Sequence, residues 1–331
     1  DPDGVVWSIA PTSSSVVVAG AFTTLAGHER KFIGAVDAST GQAMSWNPNA
    51  DGIVSALAVS GDDVFAGGNF GGMVSFTDPK PHVSSLRVTA VPTPETAVCV
   101  PPGNSDFPSV SADGTRIAFT APSSIVVNGS NGGTLDTFVY DRRSQEVRRV
   151  SVSTDGTPVV DYQSRGGPPS ISADGRYVAF PSLAKLLASD TNSVSDIYVY
   201  DLQTNQLSLA STSASGVVGN AASTRASISP DGHFLAFTSQ STNLTGDGAA
   251  GLFFKNLQTG AISLISRRTN GQPATGSFGL SSRAISRDGK FVVFTSSDGN
   301  LVAGDTTGWE HVFVYNASAG SISAASVASA G

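Results

Sequence analysis

Apolar and polar residues alternate along most of this chain in short runs, and each run ends at a cluster of Gly, Asp, Asn or Ser. Alternation with a period of two predicts half-buried β-strands, and the clusters predict tight turns between them. The pattern recurs in four aligned segments, which read FPSVSADGTRIAFT from Phe107, PPSISADGRYVAFP from Pro168, RASISPDGHFLAFT from Arg225 and RAISRDGKFVVFT from Arg283. The chain therefore contains an internal β repeat.

Each repeat predicts two consecutive hairpins. The first hairpin turns at an Asp-Gly pair, which supplies the positive φ angles of a tight turn. The turn aspartates Asp113, Asp174, Asp231 and Asp288 lie 57 to 61 residues apart. The second hairpin joins a strand such as DIYVYDL to one such as QLSLAS through a short polar turn. Four strands in a repeat of this length are typical of one blade of a β-propeller.

The repeat resembles that of TolB-type β-propellers, in which a Ser-x-Asp-Gly turn precedes an apolar strand and a Tyr-Val-Tyr-Asp-like strand follows. The resemblance extends over about residues 105–327. It implies a propeller fold and export from a bacterial cell. The protein is therefore expected to be secreted, periplasmic or attached to the cell surface.

The amino-terminal part carries a different repeat. The segment VVVAGAFTTLAGHERKFIGAVDASTGQAMSWNP is similar to a bacterial secreted propeller repeat of GGxF type, built on V-x-x-G-G-x-F, D-x-x-T-G and W-x-P, and a second copy begins at Ile53. These copies cover about residues 5–72, but the second departs from the pattern after Phe70. Residues 91–108 are rich in proline, which cannot donate to a sheet ladder, so we expect a surface connection there.

We therefore predict an all-β chain that forms a single β-propeller over residues 1–331. Two GGxF-type blades are expected in residues 1–90, the Pro-rich connection in 91–108 and four TolB-like blades in 109–331. Six four-stranded blades are the favoured count. Five blades are the alternative, because the second unit is incomplete.

Charge and composition restrict the partners. The formal net charge is −7, and a nucleic-acid partner is not expected because such surfaces need clustered Lys and Arg. No stretch reaches the roughly 18 consecutive apolar residues of a membrane-spanning helix, so insertion into a membrane is not expected either. Cys99 is the single cysteine. An intrachain disulfide is thereby excluded, and the role of Cys99 is left open.

The loops of the predicted blades divide unevenly between two faces. Turns within each hairpin are short, whereas the connections from the second to the third strand, and from the fourth strand to the next blade, are long. Long loops on a rigid scaffold commonly carry binding residues, so we predict binding at the long-loop face, with solvated loop residues as the alternative. The candidate ligand-binding residues there are Asp161, Tyr162, Arg165, Arg225, Arg283, Trp309, Glu310 and His311.

One long loop also has the spacing of a cation site. Asp190, Asn192 and Asp196 place three oxygen-bearing side chains at the first, third and seventh positions of a loop that enters a strand. Oxygen ligands at this spacing can surround calcium, a cofactor that the pattern thus suggests. The alternative is that Asp190 and Asn192 cap a turn and Asp196 begins a strand.

The chain offers little that is typical of catalysis. Its four histidines lack the spacing of a zinc site, and no Gly-x-Ser-x-Gly nucleophile motif is present. We therefore predict a non-catalytic scaffold that binds a protein or a glycan. The alternatives are a carbohydrate-active hydrolase or lyase on the same fold, since oligogalacturonate lyases resemble TolB-type propellers, and a structural tile of a larger extracellular assembly.

Overall fold

The computed structural model describes residues 2–60, 63–70, 83–87, 106–122, 135–154, 167–304 and 309–326. Within these ranges every regular element is a β-strand, and no helix is long and apolar enough to cross a membrane. The chain divides into two compact units, Asp1–Val150 and Ser151–Gly331, which are described separately. The blade boundaries expected from the sequence stay a prediction.

Unit 1 contains three larger antiparallel sheets and one small hairpin. Their strand orders are β1-β2-β5, β6-β7-β8 and β9-β10-β11-β12, and β3 pairs with β4. The strands are β1 (Val5–Pro11), β2 (Ser15–Ala21), β3 (Thr24–Leu25), β4 (His28–Glu29), β5 (Ile33–Asp37), β6 (Ile53–Ser60), β7 (Asp63–Asn69), β8 (Val83–Arg87), β9 (Asp106–Val110), β10 (Arg116–Pro122), β11 (Leu135–Asp141) and β12 (Glu146–Arg149).

Unit 2 contains three antiparallel sheets of four strands each. Their orders follow the chain: β13-β14-β15-β16, β17-β18-β19-β20 and β21-β22-β23-β24. The strands are β13 (Ser170–Ile171), β14 (Tyr177–Ser182), β15 (Asp196–Asp201), β16 (Gln206–Leu209), β17 (Ser223–Ile228), β18 (Phe234–Ser239), β19 (Gly251–Asn256), β20 (Ile262–Leu264), β21 (Phe278–Gly279), β22 (Phe291–Ser296), β23 (His311–Asn316) and β24 (Ser321–Ala324).

The four-stranded unit expected from the sequence is confirmed in each of the four aligned repeats. Consecutive antiparallel sheets whose strands follow chain order are typical of a β-propeller, and the all-β class is confirmed. In the described residues the two amino-terminal sheets have three strands each. The two blade counts expected from the sequence differ in whether one or both of these three-stranded sheets is counted as a blade.

The Ser-x-Asp-Gly segment forms the same turn in every repeat. Ser229 donates its hydroxyl to Oδ1 of Asp231 at 2.5 Å and accepts the N–H of Phe234 at 2.9 Å. Gly232 occupies the left-handed region at φ +75°, which favours glycine. Equivalent bonds are made by Ser111, Ser172 and Ser286. The serine and the aspartate thus fix the register of the hairpin that follows.

A pair of stacked rings lies at the centre of each four-stranded sheet. Phe237 on β18 faces Phe253 on β19, with ring centroids 5.7 Å apart, and neither ring is exposed to solvent. The same arrangement recurs in the other three repeats, in the pairs Phe119–Phe138, Phe180–Tyr198 and Phe294–Phe313. Phe119, Phe180, Phe237 and Phe294 therefore occupy equivalent buried places in the four repeats.

Serine hydroxyls bond the first strand of one sheet to the backbone at the start of the next repeat. Ser170 on β13 accepts the N–H of Ile228 on β17 at 2.9 Å, and Ser227 on β17 accepts the N–H of Ala284 at 2.9 Å. In unit 1, Ser8 on β1 accepts the N–H of Leu57 on β6 at 3.0 Å. Each bond satisfies a backbone donor that the next sheet's own ladder leaves unpaired. The last repeat has Ala284 at the position of Ser170 and Ser227.

One repeat also carries a buried cation. Lys255 on β19 takes the place of the tyrosine found at this position in the other repeats, Tyr140, Tyr200 and Tyr315. Its ammonium donates to the carbonyl oxygens of Ala210 and Thr212 and to the hydroxyl of Thr212, at 2.6–3.0 Å. Burial lowers the pKa of Lys255 to about 8. The lysine thus connects two sheets of unit 2.

Candidate functional site

The loops of unit 2 are unequal on the two ends of its sheets, as the sequence predicts. One end carries residues 183–195, 210–222, 240–250, 265–277, 297–304 and 309–310, which we call the long-loop face. Most turns at the other end are short: 172–176, 202–205, 229–233, 257–261 and 317–320. The long-loop face therefore contains most of the loop residues of unit 2 that the structure describes.

The loop that holds the candidate calcium ligands is closely hydrogen bonded. Tyr198 donates its hydroxyl to Asp190 at 2.5 Å, and Ser211 donates to Asp196 at 2.5 Å. Asn192 donates to the second oxygen of Asp196 at 2.7 Å and to the carbonyl of Gly219 at 2.9 Å, and its own oxygen accepts the N–H of Val194. The side-chain oxygens that would bind calcium therefore have donors within the protein.

The two carboxylates of this loop lie in the interior. Asp190 is 5% exposed and Asp196 is fully buried. Burial raises the pKa of Asp196, although hydrogen bonds from Ser211 and Asn192 oppose the shift. Burial and the bond to Asp190 also raise the pKa of Tyr198. The calcium hypothesis stays a prediction, and a calcium titration of the melting temperature would test it.

Trp309, Glu310 and His311 lie together where a long loop enters β23. Trp309 is 77% exposed, the highest value among the large apolar side chains that the structure describes. Glu310 accepts the hydroxyl of Thr295, and His311 packs edge-on against Phe313. An exposed indole whose neighbours are fixed can stack on a partner at small entropic cost.

Two candidate arginines lie near the start of neighbouring repeats. Arg225 is on β17, and its side chain is exposed. Arg283 is also accessible to solvent, and partial desolvation lowers its pKa. The other candidates, Asp161, Tyr162 and Arg165, lie outside the described residues. Their place at the site stays a prediction.

A cavity that the sequence did not reveal opens on the same face. It has a volume of about 700 Å³ and is lined by the ends of β17 and β18, by the loop before β19 and by the loop that leads into β21. Thr224, Thr238, Gln240, Asp247, Gln272 and Phe278 contribute to its wall. A volume of this size falls within the roughly 300–1,000 Å³ of small-ligand sites.

Asp298 fixes one wall of the cavity. Its buried carboxylate accepts bonds from the guanidinium of Arg268 at 2.8–3.2 Å and from the N–H groups of Thr275 and Asn300 at 2.8 and 2.9 Å. Burial alone would raise the pKa of Asp298, but these bonds outweigh it and lower the pKa to about 2. A Cβ on Gly276 would lie 2.6 Å from the backbone nitrogen of Asp298, so glycine is required at this contact.

A second ion pair holds the loop before β19, which also lines the cavity. Asp247 pairs with Arg267 and accepts the hydroxyl of Thr245 at 2.6 Å. Arg267 also donates to the carbonyl of Gly271 at 2.9 Å, which joins the loop before β19 to the loop after β20. These bonds hold the walls in place, so the binding of a ligand would cost little free energy for ordering the loops.

Sequence reasoning did not identify the residues that line this cavity. Gln240, Gln272 and Phe278 belong to no recognisable motif, because amides and rings are common in surface loops. Among the described residues, no group of three or more His, Cys, Asp or Glu side chains is placed to hold a metal ion.

Comparisons with known proteins support the fold only. No protein-family profile matches the chain, and no curated protein matches it. Solved structures do match: TolB from Acinetobacter baumannii has a TM-score of 0.50 at 15% identity, over 95% of this chain and 63% of that one. An oligogalacturonate lyase from Vibrio parahaemolyticus has a TM-score of 0.56 at 13% identity, over 96% and 76%.

A puromycin-hydrolysing peptidase from Mycobacterium tuberculosis has a TM-score of 0.57 at 11% identity, over 97% of this chain and 45% of that one. The chain thus spans less than two thirds of the TolB and peptidase chains. These proteins are named for different activities, so the likeness does not carry an activity to this chain. It shows that the chain has the β-propeller fold of TolB-type proteins.

Proposed function

We propose that this chain is a non-catalytic propeller, secreted or displayed by a bacterium, that binds a glycan or a protein through the long-loop face of unit 2. The single observation that carries the proposal is the 77% exposure of Trp309, next to Glu310, which accepts the hydroxyl of Thr295. An exposed indole on a rigid support is a frequent anchor of binding sites. Glu310 and His311 beside it supply hydrogen-bonding groups.

The cavity favours a glycan as the partner, rather than a protein that binds through a flat surface. The cavity and the residues Trp309 and Glu310 belong to the same sheet. Phe278 on the cavity wall is followed by Gly279, which pairs with Thr295 on the next strand. Thr295 in turn donates its hydroxyl to Glu310. A stacking side chain beside a polar recess suits a chain of sugar units, whereas a protein partner needs a larger continuous surface.

The test is a glycan array probed with the wild-type chain and with Trp309→Ala. The variant is expected to lose at least tenfold in binding and to keep its melting temperature within a few degrees, since exposed loop changes are usually within about 0.5 kcal/mol. Trp7→Ala is the matched control, because Trp7 is also exposed, at 51%, but lies on β1 of unit 1. Equal losses in both variants would contradict a site at Trp309.

A turnover assay distinguishes this proposal from the alternative of a carbohydrate-active enzyme. Wild-type chain incubated with a panel of neutral and acidic polysaccharides is expected to release no reducing or unsaturated ends. Product formation that disappears when a carboxylate of the long-loop face, such as Glu310, is changed to Gln would replace the binding module by a hydrolase or lyase.

A further inference from the structure

The cavity described above contains polar groups without partners, and their chemistry restricts the ligand. Neither the side chain of Gln240 nor that of Gln272 has a hydrogen-bond partner among the residues that the structure describes. Their main chains are fixed, because Gln240 donates its N–H to Ala222 and Gln272 accepts the N–H of Arg268. Each amide can therefore present one acceptor and two donor hydrogens to a ligand from a fixed backbone position.

The charge of the cavity is balanced. Asp247 is the one ionisable side chain among the described residues that line it, and Arg267 pairs with its carboxylate. No unpaired cation on this wall would attract a carboxylate or phosphate, and no unpaired anion would attract an amine. A charged ligand would give up its hydration on entering this site and would find no opposite charge there, and the lost hydration costs free energy. The cavity thus favours a ligand without formal charge.

The remaining wall combines hydroxyls with one ring. The hydroxyl oxygens of Thr224 and Thr238 lie 3.2 Å apart, so one of them donates to the other and keeps further bonding capacity. Phe278 is half buried, and its ring is held at 57° against Phe294 with centroids 6.5 Å apart. Amides and hydroxyls around a fixed ring can bind the hydroxyls and the apolar face of a sugar together.

We propose that this cavity is a subsite for an uncharged saccharide, in which Gln240 and Gln272 bind sugar hydroxyls and Phe278 packs against the face of the ring. The inference rests on the proposed glycan-binding function and adds the class of sugar and the residues that select it. Acidic sugars such as uronates are excluded by the lack of a free cation on the wall, and amino sugars by the pairing of Asp247 with Arg267.

The test is isothermal titration calorimetry with short sugars. The neutral probes are cellobiose, maltose, mannobiose and N,N′-diacetylchitobiose, and the charged probes are digalacturonate and chitobiose. At least one neutral probe is expected to bind the wild-type chain ten times or more tightly than either charged probe. The double variant Gln240→Ala/Gln272→Ala is expected to raise Kd for that probe at least tenfold, because two hydrogen-bonding groups are lost.

Gln203→Ala/Gln258→Ala is the matched control, since these two glutamines lie in turns of the opposite, short-turn end of unit 2. It is expected to bind like the wild type. Tighter binding of a charged probe, no binding of any neutral probe at millimolar concentration, or an unchanged Kd in the cavity variant would each overturn the subsite. If glycan-array binding still depends on Trp309 in that case, the proposed function stands and only the subsite falls. If it does not, both fall.

Discussion

At the residue scale, Phe237 has the largest expected effect on stability. Its ring is fully buried against Phe253, and Phe237→Ala is expected to lower the free energy of unfolding by about 3–5 kcal/mol through lost transfer free energy and a new cavity. Phe291→Ala is the control, because Phe291 is 41% exposed on β22 of the last repeat and should cost far less. Urea unfolding of both variants is the measurement, and similar losses would contradict the assigned core.

The lowered pKa of Asp298 predicts that the protein loses stability in acid. Its folded-state pKa of about 2 lies below the unfolded value, so its contribution is present above about pH 4 and is lost as the pH falls towards 2. That contribution is about 2 kcal/mol, since one pKa unit corresponds to about 1.4 kcal/mol. Asp298→Asn should therefore be less stable than the wild type at pH 6 and nearly equal to it at pH 2. An equal difference between the two proteins at both pH values would contradict this prediction.

The pKa of Lys255 predicts a second rise of stability with pH, in the alkaline range. Its folded-state pKa, about 8, lies below the unfolded value, so the unfolded chain binds more protons between about pH 8 and 10 and stability rises with pH in this window. The difference in unfolding free energy between the wild type and Lys255→Met should shift in favour of the wild type by about 2–3 kcal/mol from pH 7.5 to 10.5. Denaturant unfolding at both pH values measures it, and a constant difference would show that the ammonium is well solvated.

These residues also show what a sequence can reveal. The buried phenylalanines and the Ser-x-Asp-Gly turns were predictable because they recur with a fixed spacing. Lys255 and Asp298 were not, because each occurs in one repeat only and its partners are distant in sequence: Lys255 bonds to Thr212, and Asp298 bonds to Arg268. Burial of a charge depends on such distant contacts, which local pattern and propensity do not specify.

At the scale of elements, serine hydroxyls bond the first strand of one sheet to the backbone at the start of the next repeat. Ser227→Ala would leave the N–H of Ala284 without its partner inside the protein, and an unsatisfied buried donor costs about 1–3 kcal/mol. Ser318→Ala is a suitable control, since Ser318 is exposed in the turn before β24. Hydrogen exchange at Ala284 should accelerate in Ser227→Ala, and unchanged exchange there would show that the bond is not formed in solution.

The strands themselves were predicted well, and the cavity between their loops was not. Alternating residues and Asp-Gly turns determine which segments pair, so β9 to β24 follow from local sequence. The cavity depends on where the loop after β18 and the loop after β20 settle relative to each other, and two ion pairs decide this, Asp247 with Arg267 and Asp298 with Arg268. Neither pair has a spacing that distinguishes it from ordinary surface charges.

At the scale of the whole molecule, β1 offers a way to test the structural-tile alternative. β1 is an edge strand of its sheet among the described residues, and Val5, Trp7 and Ile9 are 60%, 51% and 62% exposed. Exposed apolar edge strands favour association. If the chain is a tile, light scattering should show concentration-dependent oligomers that Ile9→Lys abolishes. A monomer at all concentrations for both proteins would leave the binding module as the better description.

The three serine bonds described above share one direction along the chain. In each of them the hydroxyl belongs to the earlier repeat and the amide to the later one. Repeats of this kind are therefore not interchangeable building blocks. A designed tandem of the β17–β20 repeat would provide an acceptor at every junction. A tandem of the β21–β24 repeat, which has Ala284 at that position, would leave one amide per junction without a partner. The substitution Ala284→Ser would give that repeat a hydroxyl that can accept the amide of a following repeat.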